Sequence, residues 1–357
     1  MANLFFLLSG ENETLPAAEL SAILEAENYQ FKLTEKLDQL VRLETDINTI
    51  EAVKRRAAYT RISALELFSC TAKEDMIAAA AASIDFQTVL RQGETFAVRI
   101  HRVREYSAKK ETMQLESSIG KQILQSAPNT CVDLKKPSKT FIGILTSGKL
   151  VLGVKLAEAQ IKTFSERRPR KKPFFHPSAM PSKLARCMIN LSHAKTGELL
   201  LDPFCGTGST LIEASLISCR VLGVDAQRRM IVGSRRNLKH FGVDAEGLVM
   251  TDARGLPLKS VDCVVTDPPY GRSASTLRST TKALVEAVML SVYSLLGKGQ
   301  RICIALPIRV NREGKTERMS EEVSGLVENL GFRLMESHEV YIHRTLTREV
   351  VVYQKEL

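Results

Sequence analysis

Apolar and polar positions divide the chain into two parts. Up to about residue 157, short runs of alternating polarity are mixed with a few amphipathic segments, which is typical of small α+β folds. From about residue 174, short apolar runs alternate regularly with longer segments of helical periodicity. That alternation predicts an α/β domain with a mainly parallel, doubly wound sheet.

The first part begins with elements in the order βαββαβ. This order suggests a small ferredoxin-like unit, whose end we place at residue 60, and residues 61–157 then form a second α+β module. The predicted strands lie at 4–10, 31–33, 40–43, 61–68, 95–102, 132–135, 140–145 and 150–155, and the predicted helices at 16–27, 49–58, 73–84 and 115–124. Neither module contains a cluster of residues that suggests a catalytic site.

The second part continues the alternation to the end of the chain. Its last two strands have no helix between them, so we expect one antiparallel strand near the end of the sheet. The predicted strands lie at 198–201, 220–224, 247–250, 261–265, 301–306, 332–342 and 348–354, and the predicted helices at 181–192, 209–218, 227–241, 281–296 and 318–330.

Residues 158–175 join the two parts and carry an excess of positive charge. Pro169 and Pro173 are expected to keep this linker extended, and three phenylalanines are interleaved with its basic side chains. Arginine and aromatic groups together suit phosphates and unstacked bases, so we favour a polyanion contact over an ordinary solvated linker. The basic side chains are those of Lys162, Arg167, Arg168, Arg170, Lys171 and Lys172.

Composition narrows the class of protein. The 357 residues carry a formal net charge of +10, which favours a polyanionic partner. No apolar run approaches the ~18 residues that a transmembrane helix needs. The chain starts with an apolar run that lacks a basic n-region, which predicts a strand rather than a signal peptide. Seven scattered cysteines without a C-x-x-C pair predict a cytoplasmic protein with no structural zinc.

One short motif, Asp267-Pro-Pro-Tyr-Gly271, stands directly after the apolar run 261–266. Two successive prolines end the strand, because neither has an N–H to donate. An acid and an aromatic ring are therefore presented at a carboxyl strand end. Asp267 and the carbonyl of Pro268 can accept both N–H bonds of an exocyclic amine while Tyr270 stacks on the attached base. The motif favours transfer to such an amine, with a Pro-rich turn and a buried tyrosine as the alternative.

A glycine-bearing loop follows the first strand of the second part, in the run Asp202-Pro-Phe-Cys-Gly206-Thr-Gly208. The two glycines allow a ligand to approach the backbone closely. The third glycine of the dinucleotide fingerprint is replaced by Leu211, and an acid at the strand tip would repel a pyrophosphate. The loop suits a ligand that carries an ammonium, such as S-adenosylmethionine.

Four successive strands of the second part end in an acid. Carboxyl ends of parallel strands meet at one edge of the sheet, where ligands bind in open α/β folds. Asp225 stands where an acid takes ribose hydroxyls, and Asp252 can accept the amino group of an adenine. Each acid alone is a common turn former, but Asp202, Asp225, Asp252 and Asp267 together with a glycine loop predict a ligand site.

The two motifs resemble those of the amino-group methyltransferases of the Rossmann-like class. The run from Arg167-Arg-Pro to His176-Pro and the late run His343-Arg-Thr-Leu-Thr-Arg348 resemble the tRNA guanosine-10 N2-methyltransferase family, in particular its archaeal dimethylating form. The first 157 residues fit that family by element order. The resemblance implies a ferredoxin-like module at 1–60, a THUMP RNA-binding domain at 61–157, a basic linker at 158–175 and a Rossmann-like methyltransferase domain at 176–357.

The resemblance also implies the ligands and a role for each site residue. S-adenosylmethionine is the implied cofactor, and tRNA is the implied partner, bound by the six basic side chains of the linker. The implied catalytic residues, which hold the guanine, are Asp267, Pro268, Pro269 and Tyr270. The implied cofactor-binding residues are Phe175, His176 and Pro177 on the linker side, Asp202, Pro203, Cys205, Gly206 and Gly208 at the methionine, Asp225 and Ala226 at the ribose, and Asp252 and Ala253 at the adenine.

We therefore expect a monomeric, cytoplasmic enzyme that forms N2-methyl- and N2,N2-dimethylguanosine at position 10 of tRNA. The alternatives are a guanosine N2-methyltransferase acting elsewhere in tRNA or rRNA, a DNA amino-methyltransferase, and a binding-only THUMP protein with an inactive transferase fold. The acids at all four strand ends argue against the inactive fold. The α+β modules before the linker argue against DNA as the substrate.

Overall fold

The computed structural model describes residues 1–104, 109–159, 161–270, 280–310, 316–343 and 346–356. The chain separates into two compact units. The first unit contains residues 1–17, 28–54 and 59–159, and the second contains residues 18–27, 55–58 and 160–357. Parts of the two N-terminal helices thus belong to the second unit. A single boundary along the sequence therefore cannot separate the two units.

Eight strands form one sheet in the first unit. The strands are β1 (Ala2–Leu8), β2 (Phe31–Leu37), β3 (Leu40–Thr45), β4 (Thr60–Thr71), β5 (Thr95–Arg102), β6 (Cys131–Val132), β7 (Lys139–Thr146) and β8 (Lys149–Glu158). Their order across the sheet is β2-β3-β1-β4-β8-β7-β5-β6. The helices along this part of the chain are α1 (Leu15–Ala26), α2 (Thr49–Arg56), α3 (Glu74–Ala82) and α4 (Lys109–Ser126).

Strand β4 connects the two modules that the sequence suggests. It pairs with β1 on one side and with β8 on the other, both antiparallel. The predicted βαββαβ order is present, but the boundary placed at residue 60 falls on the first residue of this shared strand. The two predicted modules therefore contribute to one continuous sheet rather than to two separate ones.

A second sheet and the helices along it form most of the second unit. The strands are β9 (Leu199–Asp202), β10 (Arg220–Asp225), β11 (Gly247–Met250), β12 (Cys263–Thr266), β13 (Arg301–Val310), β14 (Thr316–Arg318), β15 (Phe332–His343) and β16 (Leu346–Lys355). The helices are α5 (Ile161–Glu166), α6 (Ser182–Leu191), α7 (Ser209–Ser215), α8 (Arg228–His240), α9 (Thr281–Tyr293) and α10 (Met319–Asn329). The predicted alternation of strands and helices is confirmed.

The sheet order is β11-β10-β9-β12-β13-β16-β15, with β14 paired to β13. Strands β9 to β13 run parallel, and β16 is antiparallel to both of its neighbours, which confirms the expected antiparallel strand near the end of the chain. The order of strands reverses between β9 and β12, which are adjacent. In open α/β sheets a ligand crevice lies outside the carboxyl ends of the strands at such a switch point.

Apolar side chains on both faces hold this sheet in place. Val264 and Val265 of β12 are fully buried, as are Leu200 and Leu201 of β9. Such continuous burial is typical of parallel strands, because helices cover both faces of the sheet. The strand ends are therefore fixed by the core, and the acids that follow them are held in register.

The basic linker is not extended, contrary to the expectation from Pro169 and Pro173. Residues 161–166 form α5, and residues 169–171 form a single 3₁₀ turn with Pro169 at its start. Proline suits the first position of a helical turn, since its missing N–H would have no partner there. The segment belongs to the second unit rather than linking two bodies. None of the described helices is long and apolar enough to cross a membrane, and all seven cysteines are free.

Candidate active site

Two acids meet at the switch point of the second sheet. Asp202 is the last residue of β9, and Asp267 directly follows β12, the neighbouring strand. Burial is the main cause of an elevated pKa at Asp202, and the charge of the nearby Asp267 adds to it. Of the four strand-end acids, Asp202 and Asp267 are therefore brought together on adjacent strands.

Asp202 is buried, and its Oδ1 accepts hydrogen bonds from the hydroxyl of Thr266 at 2.8 Å and from the backbone N–H of Phe204 at 3.1 Å. Burial raises the pKa of this carboxyl to about 7, although the hydrogen bonds oppose the shift. A buried acid of this kind is stabilised as an anion when a cation is placed beside it. The site is thus suited to an ammonium group rather than to a phosphate.

The glycine loop turns between β9 and α7, and its two glycines have different functions. Both have positive φ, +49° at Gly206 and +78° at Gly208. An added Cβ at Gly206 would come no closer than 3.8 Å to a neighbouring atom, so this glycine faces open space where a ligand can lie. An added Cβ at Gly208 would lie 2.5 Å from Ser234 Oγ, so Gly208 instead lets α8 pack against the loop.

Asp225 ends β10 and holds the glycine loop. Its Oδ2 accepts the backbone N–H of Gly206 at 3.1 Å, and its Oδ1 accepts that of Gln227 at 2.8 Å. Burial raises its pKa, while hydrogen bonds and the nearby His176 lower it. Each carboxylate oxygen has a second lone pair, which allows Asp225 to accept hydroxyl groups as well. Cys205 is buried in this loop, and burial holds its pKa well above the ordinary range, so it is no nucleophile.

Asp252 follows β11 and forms an ion pair with Arg254, two residues further along the chain. Its two oxygens accept hydrogen bonds from the guanidinium of Arg254, at 2.5 to 3.0 Å, and these bonds lower its pKa. An adenine amino group would have to share the carboxylate with Arg254 or displace it. Ala253 is buried beside it, and the exposed Ala226 follows Asp225.

Asp267 lies in a closed network with Tyr270 and Arg348. The hydroxyl of Tyr270 donates to Asp267 Oδ1 at 2.8 Å, and Nη2 of Arg348 donates to Asp267 Oδ2 at 2.5 Å. Nε of Arg348 donates to the Tyr270 oxygen at 2.5 Å, which completes a triangle. Pro268 is buried and Pro269 half-buried between them, and Gly271 lies outside the described residues. Asp267 and Tyr270 lie together as predicted, but in this structure the tyrosine hydroxyl is hydrogen-bonded to the carboxylate.

Arg348 is a site residue that the sequence did not reveal. In the sequence it only ends the run from His343 to Arg348, which by itself points to no role for its side chain. It stands at the start of an apolar strand, where a charged residue is ordinarily solvated, yet its side chain is only 7% exposed. Only the pairing of β16 with β13 shows that this position lies beside the end of β12.

The segment 174–177, which precedes α6, is tied to the glycine loop through α8. Asn237 of α8 is fully buried, and its amide donates to the carbonyls of Thr207 and Phe174, while its Oδ1 accepts the N–H of Phe174. Asn237 therefore ties the glycine loop to the segment 174–177, a link that the sequence did not indicate. Phe175 is 42% exposed, and His176 lies close enough to influence Asp225. Pro203 is buried, and Pro177 is exposed.

The basic side chains of residues 158–175 fall into two groups, exposed ones and inward-facing ones. Arg168, Arg170 and Lys171 are exposed, as predicted for a polyanion contact. Lys172 is buried and donates to Ser209 Oγ at 2.6 Å, and burial lowers its pKa to about 8. Arg167 forms an ion pair with the buried Glu213 at 2.6 Å. The assignment of Lys172 and Arg167 to an exposed RNA-binding surface is corrected, because both point inward. The side chain of Lys162 lies outside the described residues.

Comparisons with known proteins agree with this geometry. A family model described as an RMKL-like methyltransferase domain matches residues 169–325, and one described as DNA methylase matches residues 70–232. The tRNA (guanine(10)-N2)-dimethyltransferase of Methanothermobacter thermautotrophicus is 37% identical over 98% of both chains. The protein of the same name from Methanocaldococcus jannaschii is 28% identical over 98% of this chain and 99% of its own. The crystal structure of TrmN from Thermus thermophilus has a TM-score of 0.53 at 19% identity and 99% coverage of each chain, which supports the fold.

Proposed function

Because the chain belongs to the tRNA (guanine(10)-N2)-dimethyltransferase family, we propose that it transfers methyl groups from S-adenosylmethionine to the exocyclic N2 amine of a guanosine in tRNA. The observation that carries this proposal is the pair of acids at the switch point. Asp202 lies beside a loop with open space at Gly206, and Asp267 lies on the adjacent strand end. One acid thus serves a cationic cofactor and the other serves the amine that accepts the methyl group.

The residues around Gly206 fit S-adenosylmethionine, which supplies a methyl group on a sulfonium. We assign Asp202 to the methionine ammonium, because a cation compensates the cost of burying its charge. We assign Asp225 to the ribose, because its oxygens retain acceptor capacity beyond the two backbone N–H groups they already bind. We assign Phe175 and His176 to the same ligand, because Asn237 ties the segment 174–177 to the glycine loop and His176 lies near Asp225.

At the acceptor, the amine of guanine is a weak nucleophile, since its lone pair is delocalised into the ring. We propose that Asp267 and the carbonyl of Pro268 accept the two N–H bonds and localise that lone pair. The lone pair forms the new N–C bond, the electron pair of the broken C–S bond stays on sulfur, and the proton that N2 loses passes to Asp267. Tyr270 releases Asp267 Oδ1 and stacks on the base.

The position of the guanosine and the number of methyl groups follow from the family. We propose guanosine 10 as the target, with N2-methyl- and then N2,N2-dimethylguanosine as products. Action at another position is the alternative. A DNA amino-methyltransferase is less well supported, because the DNA methylase match ends before Asp267 and thus covers the cofactor loop without the acceptor acid.

RNA recognition is assigned to the first unit and to the exposed part of the basic segment. We propose that the continuous sheet of the first unit combines a ferredoxin-like module with a THUMP domain, as its element order suggests. We assign a separate RNA contact to Arg168, Arg170 and Lys171, which are exposed and basic in the second unit. We further propose a cytoplasmic monomer, and the seven free cysteines support the reducing compartment.

A nucleoside digest tests the proposal. The protein is incubated with unmodified tRNA and methyl-labelled cofactor, and the digested nucleosides are separated by chromatography. We expect label in N2-methylguanosine at early times and in N2,N2-dimethylguanosine later, and no label with a tRNA carrying adenosine at position 10. Label in an adenine or cytosine amine of DNA, or in no nucleoside at all, would contradict the proposed reaction.

A further inference from the structure

Arg348 has an unusual environment for an arginine on a strand. Its residue is 5% exposed, and its two described hydrogen bonds go to the two side chains of the acceptor motif, Asp267 and Tyr270. Its guanidinium also lies over the Tyr270 ring, with its central carbon 5.8 Å from the ring centroid. A guanidinium has five N–H donors, and the two described bonds of this one go to the two side chains to which we assign the base.

The antiparallel strand places this arginine at the site. β16 runs opposite to β13, and Arg348 pairs with Pro307 in that ladder, beyond the level at which β12 ends. Because β16 is antiparallel, its first residues lie at the edge where the parallel strands have their last. A parallel strand at this position would bring its carboxyl end to that edge instead. The strand direction is therefore what brings a cation from near the end of the chain to the acceptor acid.

Three titratable groups face Asp267: Asp202 from β9, Tyr270 from its own loop and Arg348 from β16. Burial raises the pKa of Asp267, while the charge of Arg348 and the hydroxyl of Tyr270 oppose that shift. Burial lowers the pKa of Arg348, but Asp267 and Tyr270 together raise it by more, so the guanidinium stays cationic. Arg348 is thus the one cation that faces the acid among the residues the structure describes.

We propose that Arg348 is a positioning residue for methyl transfer, which holds the half-buried carboxylate of Asp267 as an anion with Oδ2 fixed and Oδ1 directed to the incoming amine. This inference rests on the proposed function, since it concerns the same acid. Oδ2 is held by Arg348, so only Oδ1 changes partner. The Tyr270 hydroxyl on Oδ1 occupies the place of the amine N–H and leaves it when the base stacks.

A double-mutant cycle on the transfer rate tests this role. Arg348→Met keeps the length of the side chain without the charge, and Asp267→Asn keeps the shape of the acid without its charge. We expect Arg348→Met to lower kcat on the order of 10²-fold, with cofactor affinity unchanged. In the Asp267→Asn background the same substitution should change kcat by less than about threefold, because a residue that acts through another is not additive with it.

The pH profile separates positioning from a structural role. Without its cation, Asp267 should hold its proton to a higher pH, so the acid limb of the kcat profile should move upward in Arg348→Met and return towards the wild-type position in Arg348→Lys. Arg318→Met is the matched control, since Arg318 pairs with Glu349 and Glu339 on the same sheet and contacts neither Asp267 nor Tyr270 in any described bond. Arg348→Gln replaces the methionine variant should that one not fold.

Two results would overturn the proposal. One is an equal loss of kcat from Arg348→Met in both backgrounds, and the other is an acid limb that coincides with that of the wild type. The cycle is measured on whichever nucleoside the wild-type protein methylates. An error in the assigned substrate therefore appears in the digest of wild-type reactions, while an error about Arg348 appears only in the cycle and the pH profile.

Discussion

At the scale of single residues, the four strand-end acids are not equivalent. Asp202 is buried without a basic partner in any described bond and has a raised pKa, whereas Asp252 is paired with Arg254 and has a lowered pKa. Asp225 accepts one backbone N–H from the glycine loop and one from Gln227, and Asp267 is held by Arg348. The same residue type at the same place in four strands is thus adapted by its neighbours to different tasks.

Asp267 and Asp225 should fail in opposite ways when their charge is removed. Asp267→Asn is expected to lower the transfer rate by ~10²–10⁴-fold with little effect on cofactor affinity, because the acid acts on the amine. Asp225→Asn is expected to weaken cofactor binding by about 1.5–3 kcal/mol, the usual loss for a hydrogen bond to a charged group. Calorimetric titration and single-turnover transfer measure the two effects. Wild-type turnover in the Asp267 variant would exclude it from the acceptor site.

Asp202 should make cofactor binding dependent on pH. Its pKa of about 7 means that the free protein holds a proton there in mildly acidic solution, and an ammonium ligand requires the anion. Affinity should therefore fall as the pH decreases below about 7, by up to about tenfold per pH unit. Asp202→Asn should bind more weakly and lose this dependence between pH 5.5 and 7.

The matched control for that measurement is Asp252→Asn. Arg254 lowers the pKa of Asp252, so this acid keeps its charge across the same interval. The control variant should retain the pH dependence of the wild type. A pH-dependent affinity that persists in Asp202→Asn would show that another group takes up the proton.

At the scale of elements, the segment before α6 is a part of the catalytic fold. Glu213 of α7 is fully buried and pairs with two arginines, Arg167 from the segment and Arg186 from α6 at 2.9 Å. Lys172 donates to Ser209 at the start of the same helix. These contacts dock the segment on α7, which follows the glycine loop. The exposed basic side chains between Arg167 and Lys172 are therefore held at a fixed place beside that loop.

Removing the charge of Glu213 should destabilise the fold. Glu213→Gln leaves the buried Arg186 without its carboxylate, and breaking a buried ion pair from one side costs about 3–5 kcal/mol. Denaturant unfolding followed by circular dichroism measures the free energy. The control is Glu246→Gln, which breaks the exposed pair with Arg220 and should leave the unfolding midpoint nearly unchanged. An equal effect of both substitutions would refute the buried network.

At the scale of the whole molecule, the proposed acceptor residues and the basic side chains proposed to bind RNA are in different environments. Asp267 and Tyr270 are half-buried at a strand end, while Arg168, Arg170 and Lys171 are exposed. A target guanine in folded tRNA is paired or stacked and must be turned out to reach such an acid. The remaining RNA must be held elsewhere, which assigns affinity and chemistry to separate residues.

Neutralising the three exposed basic side chains should therefore separate tRNA affinity from cofactor affinity. Arg168→Ala, Arg170→Ala and Lys171→Ala together are expected to weaken tRNA binding and to reduce the slope of log affinity against log salt by about 2 to 3. Cofactor affinity should stay constant. The control with equal charge change is Lys239→Ala, Lys259→Ala and Lys298→Ala, three exposed lysines of the same unit.

An unchanged salt slope in the first triple variant would remove the segment from the RNA-binding surface. The full chain is the right protein for this test. A fragment of residues 174–357, which the sequence suggests as a catalytic half, lacks Arg167 and Lys172, and it would leave Glu213 without one of its arginines. Loss of activity in that fragment could reflect unfolding as well as lost recognition.

The sequence by itself determined the doubly wound sheet of the second unit, the antiparallel strand near its end and the convergence of Asp202 and Asp267. These features depend on local periodicity and on the rule that parallel strands end at one edge, so they can be deduced from the order of residues. The acceptor motif was recognisable for the same reason, since two prolines after an apolar run end a strand wherever it lies.

Only the tertiary structure decided which residues surround those acids. The deciding contacts join positions that are far apart in the chain. They are the ion pair of Arg348 with Asp267, the inward-facing contacts of Arg167 and Lys172, and the hydrogen bond of Asn237 to Thr207. A basic residue has the same local pattern whether it faces solvent or a buried carboxylate. Strand direction and helix packing make that choice, because they alone determine which side chains share a place from which water is excluded.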